Sequence, residues 1–177
     1  MKRKTIFSIV LIYFCLFLVG CSCSDGEKIN EQEFSLKNQN TVENYLEFKF
    51  IGATASNKVA PTSPIDSANF YEPKVEENVY IKADLNVKNL GKEEKYIEDL
   101  IKGKFIVNGR EYEAFAIIEE ENGSNFKEGK EFSLGEAQEE IISFLAEVPQ
   151  IDLNNEVKLV LDINGEIYTN EFTIIVE

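Results

Sequence analysis

The chain of 177 residues contains no histidine and no tryptophan. Its only arginines are Arg3 and Arg110, and it has four prolines. Without histidine it lacks the usual general base near neutral pH and a usual nitrogen ligand of zinc. Serine and cysteine nucleophile schemes that depend on an imidazole are excluded with it. One arginine beyond the N-terminal cluster leaves a single side chain able to grip a carboxylate or phosphate with two parallel hydrogen bonds. Paired carboxylates can hydrolyse glycosides, but among 32 acidic residues any one pair is uninformative. No catalytic residue, metal ligand or cofactor is assigned, and the expectation is a chain without enzymatic activity. Basic residues are scarce as well: 18 Lys and Arg give a net charge of −14. Such a surface repels phosphate backbones and anionic headgroups, so nucleic acid is not an expected partner.

What the chain does have begins at its N-terminus. Lys2, Arg3 and Lys4 precede an apolar run from residue 5 to 19 (Ile6, Phe7, Ile9, Val10, Leu11, Ile12 and onward). A charged start and a short apolar core describe a secretory signal, and the run is shorter than the ~20 apolar residues of a stable membrane span. It ends in Leu18-Val19-Gly20-Cys21, and a polar stretch follows at once. These four residues resemble the lipobox of bacterial lipoproteins. The resemblance implies cleavage between Gly20 and Cys21 and a diacylglyceryl group on the Cys21 thiol. Two acyl chains hold a protein at a membrane where one does not. An uncleaved N-terminal anchor and an ordinary cleaved signal are the rival readings. The expected location is the extracytoplasmic face of a bacterial membrane.

Cleavage would remove Cys15 and all three early basic residues. That leaves 15 basic against 32 acidic residues, a net charge of −17. With Cys21 lipidated, Cys23 is the one remaining thiol, so no internal disulfide can form. Stability must then come from a hydrophobic core. The expected organisation is a signal segment at 1–20, the lipidated cysteine and a polar linker at 21–43, and one domain at 44–177. Within the linker a short helix near residues 30–37 is an option.

The domain reads as all β. Leu46, Phe48 and Phe50 alternate onto one face, and Val79, Ile81, Ala83, Leu85 and Val87 do so over residues 79–87, with a wet opposite face. Strands are expected at 96–100 and 104–107, split at Gly103, then at 111–119, 139–148, 157–163 and 167–176. Asn108-Gly109 and Asn164-Gly165 suit two-residue hairpins, because both residues tolerate positive φ. Seven or eight strands with regular turn signals and no long helix predict an immunoglobulin-like antiparallel β-sandwich, with a small barrel as its rival.

From Val79 onward the chain also resembles a family of bacterial lipoproteins with an uncharacterised immunoglobulin-like domain of the immunoprotective extracellular antigen type. Val87-Lys88-Asn89-Leu90-Gly91 looks like its VxNxG turn. Asn108-Gly109-Arg110-Glu111-Tyr112 looks like its hairpin. Leu134-Gly135-Glu136 resembles its L-x-P-G-E loop without the proline, and Phe144-Leu145-Ala146-Glu147-Val148-Pro149 its F-x-V-P strand end. The resemblance implies a sandwich outside the cytoplasm with a binding or accessory role, and it supplies no catalytic residues.

The long connection at 55–78 carries Phe70 and Tyr71 among prolines and polar residues. Loops at the ends of sandwiches are common binding surfaces, so these two residues are the candidate binding loop. Simple packing over a sandwich edge is the plainer alternative. Glu119-Glu120-Glu121-Asn122 with Glu128 forms the densest oxygen-rich loop, though without the spacing of a calcium loop. The functional expectation is a lipid-anchored, non-catalytic lipoprotein that binds an unknown protein or envelope component. The alternative is a solute-binding accessory lipoprotein of a transporter.

Overall fold

The computed structural model describes residues 31–154 and 156–176. The signal segment, Gly20 and Cys21 lie outside the described residues. The strands are β1 (Glu31–Glu33), β2 (Asn40–Val42), β3 (Leu46–Ser56), β4 (Asn78–Asn89), β5 (Lys95–Tyr96), β6 (Lys102–Val107), β7 (Arg110–Glu119), β8 (Phe126–Glu128), β9 (Ser133–Leu134), β10 (Glu139–Pro149), β11 (Val157–Ile163), β12 (Glu166–Phe172) and β13 (Ile175–Val176). One helical turn, α1 (Ile97–Leu100), lies between β5 and β6. Seven strands have six residues or more, in line with the sandwich expected from alternation.

Two packed sheets share β7. Its first half pairs with β6, so that one sheet runs β1-β12-β11-β6-β7. Its second half pairs with β10 and β8, and the other sheet continues β7-β10-β4-β3. The long neighbours are antiparallel. Among the described residues only the short β1–β12 and β13–β3 pairs are parallel. Between the sheets lies one apolar core built from the inward alternation of β4, β10 and β11: Val79, Ile81, Ala83, Leu85 and Val87 against Ile142, Phe144, Ala146 and Val148, with Leu159 and Leu161 opposite. Both Asn-Gly turns form as expected, with φ of 51° and 74° at Asn108 and Gly109 and 55° and 82° at Asn164 and Gly165.

Four expectations need correction. The linker does not extend to residue 43. β1 and β2 are sheet strands, and Phe34 between them is 2% exposed, its ring meeting Phe48 edge-on at 5.6 Å. An apolar side chain isolated among polar residues is the anchor here. The possible helix near 30–37 is absent, because Asn40 Oδ1 accepts the Ser35 N–H at 2.6 Å and its Nδ2 donates to the Ser35 carbonyl at 2.9 Å, closing a turn. Residues 97–100 are helical rather than a strand. Ile97 and Leu100, three apart, both face the core, and the Ile101 N–H closes on the Ile97 carbonyl at 3.0 Å. Gly103 is no boundary. It lies inside β6, where a Cβ would come within 2.6 Å of the Phe144 ring.

Tyr168 on β12 has its hydroxyl donating to Glu166 Oε2 at 2.6 Å. Burial and that acceptor push its pKa up to about 12. The folded state therefore holds this proton more tightly than the unfolded chain, whose tyrosines titrate near pH ~10. The resulting stability is complete below pH ~10 and is lost as pH rises towards 12. In an absorbance titration at 295 nm, Tyr168→Phe is expected to remove signal that develops near pH 12. An unchanged curve above pH 11 would contradict the assignment.

Candidate functional site

The outward face of the second sheet is not uniformly wet. Tyr80 on β4, Leu145 on β10 and Ile117 on β7 are buried there, with Phe115 partly so. The connection at 57–77 crosses this face as a strap. Val59 and Tyr71 exchange two backbone hydrogen bonds of 2.9 Å, which pinch the strap's neck. Both side chains turn down onto the sheet. Tyr71 sits among Phe115, Phe126 and Tyr80, at ring-centroid distances of 5.2, 6.0 and 6.2 Å. Burial of its hydroxyl, with Glu128 nearby, raises its pKa, and burial with Glu147 nearby raises that of Tyr80.

Polar groups fasten the strap at three places. At its foot, Glu147 Oε1 accepts the Lys74 N–H at 3.1 Å, the Val75 N–H at 3.2 Å and the Asn78 Nδ2 at 2.8 Å. Desolvation works against the Glu147 charge, but these three donors and the Lys74 ammonium outweigh it and hold the pKa below the ordinary glutamate value. At the tip, Glu119 accepts the Thr62 N–H and the Ser63 N–H donates to the Gly123 carbonyl at 2.8 Å. On the return, the Asn69 N–H donates to Asn125 Oδ1 at 2.7 Å.

The two residues of the candidate binding loop therefore part company. Tyr71 packs over the sheet, as the plainer alternative has it. Phe70 is 51% exposed, with Lys58 Nζ 4.1 Å from its ring centroid. Ile65 and Val75 of the same strap are also exposed. Beyond the strap's tip the outer face opens into a cleft of about 440 Å³ lined by Thr62, Lys82, Asp84, Glu119, Glu140 and Ser143 among others. At its floor Ser143 Oγ donates to Asp84 Oδ1 at 2.5 Å, while Lys82 pairs with Asp84 Oδ2 at 3.2 Å. The serine proton is thus held by a carboxylate that the lysine already neutralises, an arrangement that leaves no free base on the hydroxyl.

Ser124-Asn125-Phe126-Lys127 has the Ser-x-x-Lys order of some acyl-transfer enzymes. Here a carboxylate stands between the two groups: Ser124 Oγ donates to Glu120 Oε2 at 3.1 Å and Lys127 pairs with Glu120 Oε1 at 3.5 Å. The oxygen-rich loop is used in the same way. Glu119 and Glu120 hold strap and turn, Glu128 pairs with Lys130, and among the described residues no three such groups gather around a common point. Arg110 is 72% exposed in its hairpin, 4.0 Å from Asp152.

The motif residue Asn89 has a definite structural task. Its fully buried side chain donates to the Glu93 carbonyl at 2.9 Å and the Leu134 carbonyl at 2.8 Å, and accepts the Gly91 N–H at 2.8 Å. It ties the VxNxG turn to the segment Leu134-Gly135-Glu136, two motifs 45 residues apart. Sequence reasoning missed the aromatic patch under the strap. Its signal was the apolar runs at 114–118 and 144–146, which bury both faces of a strand rather than one.

These features define a β-sandwich with one sheet face strapped by a long loop. Solved structures resemble it in fold. An uncharacterised β-sandwich protein from Clostridium difficile 630 matches with a TM-score of 0.70 and 20% identity, covering 83% of this chain and 97% of that one. A conserved hypothetical protein from Bacillus anthracis matches with a TM-score of 0.51 and 14% identity, covering 79% and 95%. A proposed lipoprotein from Bacillus subtilis gives a TM-score of only 0.44 at 10% identity, covering 79% and 39%, too low to carry an argument. At these identities the likeness is one of fold. No family model matches the chain, and no curated protein does.

Proposed function

We propose that this protein is a lipid-anchored, extracytoplasmic binding domain, held by Cys21 and without catalytic activity, that meets a protein or cell-envelope partner through its strapped face. The membership of the immunoprotective extracellular antigen type suggested by the turn motifs is part of the same reading. The observation that carries it is the strap itself. A 21-residue connection fastened at three points packs Val59 and Tyr71 onto the sheet and leaves Ile65, Phe70 and Val75 exposed to solvent. Exposed aromatics on a rigid support are typical anchors of protein interfaces.

The reading has two separable tests. Cys21→Ser is expected to abolish incorporation of labelled fatty acid and to leave residues 1–20 uncleaved, and a Cys21→Ser chain still labelled or processed as wild type would sink the anchor. A photo-crosslinking residue at position 70 is expected to capture a discrete partner on intact cells. The same residue placed on Lys102, on the other sheet, is not. Equal capture from both positions would remove the strapped face from the account.

A further inference from the structure

We propose that the strap at 57–77 is an acid-released lid over the aromatic groove formed by Tyr80, Phe115, Ile117 and Leu145. This rests on the strapped face being the binding surface, but its test needs no partner. Two of the three fastenings use a carboxylate as the acceptor of strap backbone N–H groups, Glu147 at the foot and Glu119 at the tip. Hydrogen bonds to an ionised acceptor are roughly twice as strong as those between neutral groups, so protonating either carboxylate weakens the end of the strap that it holds.

What else holds the strap is the packing of Val59 and Tyr71 on the groove and two neutral hydrogen bonds, Ser63 to Gly123 and Asn69 to Asn125. The strap's one sheet-like contact is the Val59–Tyr71 bridge, whereas the sheet beneath is held on both sides, with β10 paired to β4 along its whole length. Local opening draws on segments with few internal hydrogen bonds. The groove survives such an opening because its residues stand on strands backed by the main core. What the lid uncovers is an apolar slot that Tyr71 otherwise fills.

Glu147 is faced by the Lys74 ammonium and Asn78 from the strap's foot and by the Tyr80 hydroxyl from β4. Glu119 shares its cleft with Glu120, Glu121, Glu140, Asp84 and Lys82. The foot carboxylate is stabilised as an anion by its donors. Its pKa is lower folded than unfolded, so its contribution is present above the ordinary glutamate range near ~4.3 and is lost as pH falls through the lowered value.

Hydrogen exchange of the full chain at pH 7 and at pH 2.5, corrected for intrinsic rates, tests the lid. Protection of the 57–77 amides is expected to fall about tenfold or more, while 79–87 and 139–149 change less than about threefold. Glu147→Gln is expected to lower strap protection at pH 7 already and to shrink the pH effect. Strap and sheet losing protection together would overturn the lid, as would a strap indifferent to pH. A Glu147→Gln chain that matches wild type at both pH values would overturn it too. Failure of crosslinking at position 70 would leave these exchange results intact and would count against the binding surface instead.

Discussion

Asn89→Ala is expected to destabilise the domain by about 3 kcal/mol. The Asn89 side chain is fully buried and makes three hydrogen bonds to backbone groups. Truncation leaves the Leu134 carbonyl without this donor, and likewise the Glu93 carbonyl, and it strands the Gly91 N–H. A net hydrogen bond contributes about 1 kcal/mol, and a buried group left unpaired costs roughly 1–3. With a typical urea slope of ~2 kcal/mol/M, the unfolding midpoint should drop by about 1.5 M. Asn89→Asp keeps the acceptor for Gly91 but loses both donations and adds a buried charge, so it should be no milder at pH 7. A midpoint within about 0.5 M of wild type for Asn89→Ala would show that the turn and the 134–136 segment are held by other contacts.

Phe144→Ala should be at least as severe, about 3–5 kcal/mol, the usual range for a buried phenylalanine. The ring lies at the centre of β10, facing Gly103 of the opposite sheet. That pairing makes a sharper prediction than the single truncation. Gly103→Ala in the wild-type chain would place a methyl 2.6 Å from Phe144 Cδ1, and overpacking of this kind costs about 1–3 kcal/mol. In the Phe144→Ala chain the same methyl enters vacated space and should be neutral or stabilising. The double-mutant cycle is therefore expected to show a coupling well above the ~0.5 kcal/mol limit of additivity. An additive result would mean that β6 shifts to absorb the methyl and that glycine is not required there.

These two sites also show where the sequence could be read and where it could not. Alternation in β4, β10 and β11 exposed the core face directly, because a one-residue error would turn every apolar side chain to water. The Asn-Gly pairs declared their hairpins through a backbone geometry few other residues adopt. Asn89 was visible as a turn residue, but nothing local distinguishes a buried asparagine that staples two segments from an exposed one. Ile97 and Leu100 were read as strand because two apolar residues are too few to separate a period of 2 from one of 3.6. Phe34 stands among polar residues that read as linker, although one large ring suffices to pin a short strand. At the candidate site, the loop and its aromatics were legible from composition. That Tyr71 turns inward while Phe70 turns outward was not, because the choice depends on the Val59–Tyr71 bridge and on three strands from distant parts of the chain.

The central claim is that the strapped sandwich works from a membrane surface, held by Cys21. Intact-mass analysis and N-terminal peptide mapping of the protein purified from bacterial membranes test this most directly. The account predicts a mature chain that begins at Cys21, carries a diacylglyceryl group on that cysteine and lacks residues 1–20. A chain that retains Met1 through Gly20, or one that begins elsewhere with an unmodified Cys21, would contradict it.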